Sequence, residues 1–341
     1  MKLVRFLLFP FAILYDLITS IRNLFFNTGI FNETSFNRPI IVVGNLSVGG
    51  TGKTPQIEYL IRLLKDTYIV SVLSRGYKRK TKGYVLVSKN HTANDVGDEP
   101  LQYFKKFRNI DVAVNENRVE GIHNLIGQKS SEVVLLDDAF QHRKVKGSFY
   151  ILLTKYDDLF TDDFLLPTGN LRESRAGAKR ADVIVVTKCP FDLNEDQKES
   201  IKRKLEKYKK EIYFTTISYS DKISGDQQLS IEELNDCEVL LITGIANPNP
   251  LLEFLIKKEI QFTHLKFGDH HHFSSKEINE IQEKYNKINS DKKLILTTEK
   301  DYTRLSSRLK ELSFLEIETS FLEDKTNFDN VIISHIQQNR C

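Results

Sequence analysis

Residues 43–55 read VGNLSVGGTGKTP, and this stretch limits the possible folds more than any other in the chain. A phosphate-binding loop of the P-loop type runs G-x-x-x-x-G-K-[ST], yet five positions before Gly52 stands Ser47. The parts that touch phosphate are nevertheless complete. Gly49, Gly50 and Gly52, with Thr51 between them, let the backbone turn its N–H groups inward. Lys53 reaches the terminal phosphates, and Thr54 offers a hydroxyl to Mg²⁺. Upstream, RPIIVVGNL is a short β-branched run; downstream, TPQIEYLIRLLKD carries Ile57, Leu60, Ile61 and Leu64 at helical spacing. Strand, loop, helix is the expected order, with Pro55 in the first helical turn and the helix N-terminus facing an anion. The bland alternative is a glycine-rich turn that binds nothing. A glycine cluster ending in Lys-Thr between a strand and a helix argues against it.

Apolar runs of strand length recur at YIVSVLSRGY, GYVLVS, DVAVNENRV, SEVVLLDDAF, FYILLTKYD and ADVIVVTKCP, separated by loops or helical patterns. This alternation predicts an α/β fold, a P-loop NTPase-type doubly wound sheet with ligands at the carboxyl ends of its strands. The charged stretch NEDQKESIKRKLEKYKKE reads as a solvated helix face. From about residue 216, ISYSDKISGDQQLSIEELNDC reads as a polar connector. Three further strand-helix units then predict a second, smaller α/β domain, with helix starts at Asn249-Pro250 and at the box from Ser274 to Glu277. The expected division is 1–30, 31–215 and 216–341.

Residues 1–30 stand apart. They are rich in Leu, Phe and Ile, with Lys2, Arg5 and Arg22 among them. A signal peptide would need a small-residue cleavage site, which does not follow. A spanning helix needs about 20 apolar residues, and Asp16 interrupts the run. A monotopic helix lying on the membrane surface suits the mixture better, and a hydrophobic arm on the protein's own core is the alternative. With 49 basic and 46 acidic residues in 341, net charge +3 gives no argument for a nucleic-acid partner. Cys189, Cys237 and Cys341 form no C-x-x-C pair, so neither a zinc site nor a disulfide framework is expected.

Several constellations carry chemistry. Asp137 and Asp138 follow four apolar residues, where a P-loop protein keeps its Mg²⁺-linked carboxylate. Asp98 and Glu99 precede a helix, a placement the helix dipole favours in any case. GDHHHFS suggests metal at first, but consecutive histidines cannot all face one ion from a regular element, so proton transfer or anion contact is the better expectation. Arg118 and Arg172, near Gly and Asn, are of the type that grips phosphate, or are surface ion pairs. VVTKCP resembles the guanine-reading N-K-x-D motif with Pro190 where its aspartate belongs, which favours ATP over GTP.

Together, VGNLSVGGTGKTP, SRGY, GDEP, ENR, DDAFQHR, LPTGNLRE, TGIANP, DHHHF and TTEKD, in this order after a hydrophobic N-terminus, closely resemble the tetraacyldisaccharide 4'-kinase (lipid A 4'-kinase) family over about residues 1 to 305. The family shows the same loop without its first glycine. One departure is Ala139, where many relatives have glycine. The resemblance implies an enzyme of lipid A biosynthesis at the cytoplasmic face of the bacterial inner membrane, which phosphorylates the 4'-hydroxyl of a tetraacylated glucosamine disaccharide 1-phosphate with ATP and Mg²⁺. Lys53, Thr54 and Asp138, with Asp137 beside it, would hold the triphosphate and metal. The resemblance assigns Asp98 as proton acceptor, pairs it with His270 of the second domain when the cleft closes, and adds Arg118, Gln141, His142 and Arg172 to the active site. It leaves open which of these touch ATP and which touch the lipid, and says nothing of protein partners. A competing reading is a membrane-recruited P-loop ATPase switch, which has no need of an acid and a histidine in separate domains.

Overall fold

The computed structural model describes residues 5–269 and 271–339, so His270 lies outside the described residues. The chain opens with helix α1 (Phe9–Asn27) and then winds strand β1 (Ile40–Asn45), helix α2 (Lys53–Leu64), β2 (Val70–Ser74), β3 (Val85–Leu86), α3 (Ala93–Val96), α4 (Asp98–Lys106), β4 (Asp111–Val114), α5 (Arg118–Lys129), β5 (Val133–Asp137), β6 (Phe149–Lys155), β7 (Val183–Thr187) and α6 (Glu195–Leu205). β1, β5 and β7 are buried at every position, as strands covered by helices on both faces must be. The order β3-β4-β2-β5-β1-β6-β7 is parallel except for the edge pair of β3 and β4. Because β5 lies directly beside β1, with Val43 opposite Asp137, the two acidic residues emerge next to the phosphate loop.

The long strand β8 (Glu211–Gly225) carries this sheet onward. Its first residues run parallel to β7, and from Thr215 to Gly225 it pairs antiparallel with β12 (Leu312–Phe321). Residues 216–225 are therefore strand, where the sequence suggested a connector. Their polar side chains sit on a half-exposed ribbon whose backbone is satisfied by β12, so polarity did not signal a loop there. Beyond β12 the parallel order β12-β11-β9-β10 completes one 12-stranded sheet. It is built from β9 (Glu238–Thr243), α7 (Asn249–Lys257), β10 (Phe262–Lys266), α8 (Ser275–Asn286), β11 (Lys293–Thr298) and the short α9 (Glu299–Leu305). Helix α10 (Lys325–Gln338) then returns to the first half, where Phe328, Ile332 and Ile336 are buried in the same core as Ile57, Leu60 and Val43.

α1 lies on the surface. Phe11, Ile13, Leu14, Leu17 and Ile18 are each 55–62% exposed, while only Ala12 and Thr19 of the helix are buried. Polar bonds and ring contacts attach it: Arg5 donates to the carbonyls of Pro167 and Gly169 and to Asn170, Tyr15 donates to the carbonyl of Arg172, Asn23 donates to Glu173, and Phe6 and Phe9 pack edge-on against Phe164. By length and composition α1 is apolar enough to cross a membrane. The helix is not an arm buried in the core.

Candidate active site

The phosphate loop needs left-handed backbone at Gly49 (φ +109°) and Gly52 (φ +82°), but Ser47 does not adopt it. Residue 47 instead makes a β-bridge with Leu171, and the next amide, of Val48, donates to the carbonyl of Asn170 at 2.8 Å. Glycine is thus dispensable at 47 because the chain there is extended. Earlier, at Gly44, a Cβ would approach that of Phe140 to 2.6 Å, so the glycine before the loop is required by packing. Gly52 caps α2 in the left-handed region, and the helix N-terminus opens onto the loop. At the far side the Thr187 hydroxyl donates to the carbonyl of Thr51 at 2.8 Å, and Lys188 lies over Gly50, its ammonium 3.9 Å from where a Cβ would sit.

Around this loop four side chains converge. Lys53 donates to Asn45 Oδ1 at 3.2 Å and stands 3.6 Å from Asp138. Arg172 forks onto both oxygens of Asp138 at 2.8 and 3.2 Å, and onto Asn45. These cations hold the Asp138 carboxyl below its ordinary range despite burial. Its neighbour Asp137 behaves oppositely: burial, with the charges of Asp138 and Glu99, pushes its carboxyl up to about 7. Asp138 takes the left-handed conformation (φ +48°) while Ala139 does not, so alanine replaces glycine at 139 without strain.

Arg118 starts α5 behind an Asn117 cap and is buried, donating to the carbonyl of Asn115. Burial lowers its guanidinium to about 10, with Asp137 and Asp138 opposing that shift. Gln141 donates to the carbonyl of Asn45 at 2.8 Å and to Glu173 at 3.0 Å. Burial, helped by Arg118, drives His142 down to about 4, and its Nε2 is buried without a partner.

Asp98 is the first residue of α4. The glycine before it, Gly97 (φ +94°), packs against Gly76 (φ +71°). A Cβ on Gly97 would come within 3.2 Å of Gly76 Cα, and one on Gly76 within 2.7 Å of the carbonyl of Val96. The SRGY and GDEP segments are two glycine turns pressed face to face. Asp98 receives the guanidinium of Arg304 from α9, and Glu99 faces Lys300 of the same helix at 3.5 Å. Lys300 also stands 3.9 Å from Asp269. His271 does not turn toward Asp98; it pairs with Glu277 at 2.9 Å beside the rings of Phe267 and Phe273.

Three residues of this constellation were missed in the sequence: Asn45, Glu173 and Arg304. Asn45 is wholly buried and links Lys53 to Arg172. Glu173 is likewise buried and binds Gln141, Arg180 and Asn23. The only available signals were a polar residue closing an apolar strand and an acid following Arg172. The residues fit a magnesium nucleotide. A loop of turned amides takes phosphate, and a threonine hydroxyl with two carboxylates is an all-oxygen donor set of the kind Mg²⁺ prefers. The buried Asp137 carboxyl, raised by like charges, is a group a cation would compensate.

Fold and site together define a P-loop nucleotide-binding protein of the doubly wound α/β class. Residues 4–337 match the family model of tetraacyldisaccharide-1-P 4'-kinase, and the chain belongs to that kinase family. It is 53% identical to the tetraacyldisaccharide 4'-kinase of Flavobacterium johnsoniae, with 99% of each chain covered. It is 45% identical to that of Bacteroides thetaiotaomicron, covering 97% of this chain and 93% of the relative. Among solved structures it resembles LpxK of Aquifex aeolicus, an "apo" form in complex with ATP, with a TM-score of 0.80 at 30% identity over 98% of this chain and 99% of that one.

Proposed function

We propose that this chain transfers the γ-phosphoryl group of ATP to the 4'-hydroxyl of a tetraacylated glucosamine disaccharide 1-phosphate, at the cytoplasmic face of the inner membrane. The observation that carries this reading is the contact between site and surface helix. Arg172, which grips Asp138 beside the phosphate loop, is held through its own carbonyl by Tyr15 of the exposed apolar α1. A lipid anchored where α1 lies thus meets the phosphates without leaving the bilayer, each CH₂ withdrawn from it costing about 0.8 kcal/mol.

In this reading the amides of Gly49 to Gly52 and the ammonium of Lys53 bind the phosphates, and Arg172 neutralises charge on the oxygens in flight. Thr54, Asp138 and Asp137 hold Mg²⁺, which when bound supplies further charge neutralisation. Asp98 accepts the proton of the attacking hydroxyl, with His270 as its partner. Support for that pairing comes from Asp269, which shares Lys300 with Glu99, next to Asp98. Arg118, Gln141 and His142 line the same site, and residues 216–341 supply the half that closes over it. Proton transfer of this kind is worth roughly 10² to 10⁴ in rate.

The test is lipid phosphorylation by two variants. Lys53→Ala should lose about 10² to 10³ in kcat, as removal of one electrostatic contact to the transferring group does. Asp98→Asn should lose at least as much while its affinity for ATP stays within about twofold. Near-normal turnover by Lys53→Ala would end the phosphate-loop assignment.

A further inference from the structure

Arg304 has no part in the chemistry above, yet its side chain is only 9% exposed and crosses from one half of the sheet to the other. Its Nε donates to Asp98 Oδ1 at 2.9 Å and its Nη2 to Asp98 Oδ2, so both oxygens are engaged by one rigid fork. The remaining nitrogen, Nη1, donates to Asp301 at 3.3 Å. Asp301 is fully buried and accepts from the amide of Gly244 at 2.7 Å and from the hydroxyl of Thr298 at 2.8 Å. A continuous chain of charge-assisted bonds therefore runs from the end of β9, through Asp301 and Arg304, to the N-terminus of α4. The same face of α9 adds two more ion pairs to α4, Glu299 to Lys106 at 2.9 Å and Lys300 to Glu99 at 3.5 Å. Three of the seven residues of α9 thus grip one helix.

We propose that Arg304 is a positioning residue for the proton acceptor Asp98, through which the second half of the molecule fixes the acceptor's carboxylate. This rests on the assignment of Asp98 as acceptor. A carboxylate on a single short stem can rotate, and a misplacement of about 1 Å at a reacting group can cost on the order of 10² in rate. A bidentate guanidinium fixes both the plane and the direction of the carboxylate. It takes two of the carboxylate's roughly four lone-pair sites. Lysine, a single point charge without the fork, can replace the charge but not the plane.

The charged groups brought to α4 by the elements around it include Asp95 of α3, Asp111 of β4, Glu58 of α2 and Glu316 of β12 through Lys106, and Glu299, Lys300, Asp301 and Arg304 of α9. Of these, Arg304 is in direct contact with Asp98. The experiment is the pH profile of kcat at saturating Mg-ATP and acylated disaccharide 1-phosphate for the wild type, Arg304→Ala and Arg304→Lys, with ATP affinity measured on each. Arg304→Ala should lower kcat by about 10- to 100-fold with ATP affinity within about twofold. Its acidic limb should move to higher pH by about one unit or more, since the carboxylate has lost its cation. Arg304→Lys should restore the limb's position while kcat stays low. A fall in kcat with an unmoved limb would mean a merely structural role, and unchanged kcat would mean no role; either overturns the proposal. Should the alanine variant fail to bind ATP, the lysine variant decides, and wild-type kcat from it refutes the need for the fork. Asp98→Asn, assayed in parallel, separates the two assignments: if it keeps activity, Asp98 is not the acceptor, whatever Arg304 does.

Discussion

Burial beside the phosphate loop acts on two titrating residues in opposite directions, and each ties stability to pH. In the unfolded chain His142 titrates near 6.5, but in the fold only near about 4. Between those values the unfolded chain holds the extra proton, so stability falls as pH drops from about 6.5 toward 4. For Asp137 the folded chain holds the extra proton between about 3.8 and about 7, so its contribution falls as pH rises through that window. Replacing His142 by Asn removes the acid-side loss. Urea unfolding midpoints should therefore drop less between pH 7 and pH 5 in His142→Asn than in the wild type. Equal drops would show that His142 is charged in the fold. Much of this neighbourhood was legible residue by residue, because Lys53, Thr54 and the Asp137-Asp138 pair are fixed by loop and strand chemistry that is local in sequence. Asn45, Glu173 and Arg304 were not, since the partners that tie them to the site, Arg172, Gln141 with Asn23, and Asp98, lie more than 30 positions away, and their residue types are ordinary.

At the scale of elements, α1 presents a row of apolar residues outward, among them Phe11, Ile13, Leu14, Leu17 and Ile18, and is fastened by hydrogen bonds and by Phe9 against Phe164. Arg5, just ahead of the helix, donates its guanidinium fork to the carbonyls of Pro167 and Gly169. Leu14, Leu17 and Ile18 are exposed, and in the proposed membrane contact they would face the lipid. Changing all three to Gln should weaken binding to vesicles by about tenfold per residue, at roughly 1.5 kcal/mol for each apolar side chain kept in water. ATP affinity should stay unchanged, since none of the three makes a polar contact to the site. A triple variant that sediments with vesicles as the wild type does would place the lipid contact elsewhere. The apolar character of α1 was plain in the sequence; the contact of Tyr15 with Arg172, which joins it to the site, was not, because nothing local distinguishes that tyrosine.

For the whole molecule, the two α/β halves share one sheet through β8 and are locked by a buried cluster. Lys106 of α4 meets Glu58 at 2.9 Å, Glu299 at 2.9 Å and Glu316 at 3.1 Å, joining α2, α9 and β12. The doubly wound class and the second α/β unit were readable from the alternation of apolar runs and helical patterns. The continuity of the sheet was hidden, because residues 216–225 are polar on a ribbon that needs only one partner strand, and the return of α10 to the first core depends on contacts far apart in sequence. The proposed site joins the phosphate loop of the first half to Asp98 and α9, beneath a surface helix whose apolar side is exposed. The most direct test of the account is to incubate the full chain with Mg-ATP and vesicles carrying tetraacyldisaccharide 1-phosphate, and to locate any new phosphate on the lipid by fragmentation mass spectrometry. One added phosphate on the 4' position, with negligible ADP release when the lipid is omitted, is the expected result. Steady ATP hydrolysis indifferent to the lipid, with the lipid's mass unchanged, would contradict it and favour a nucleotide switch.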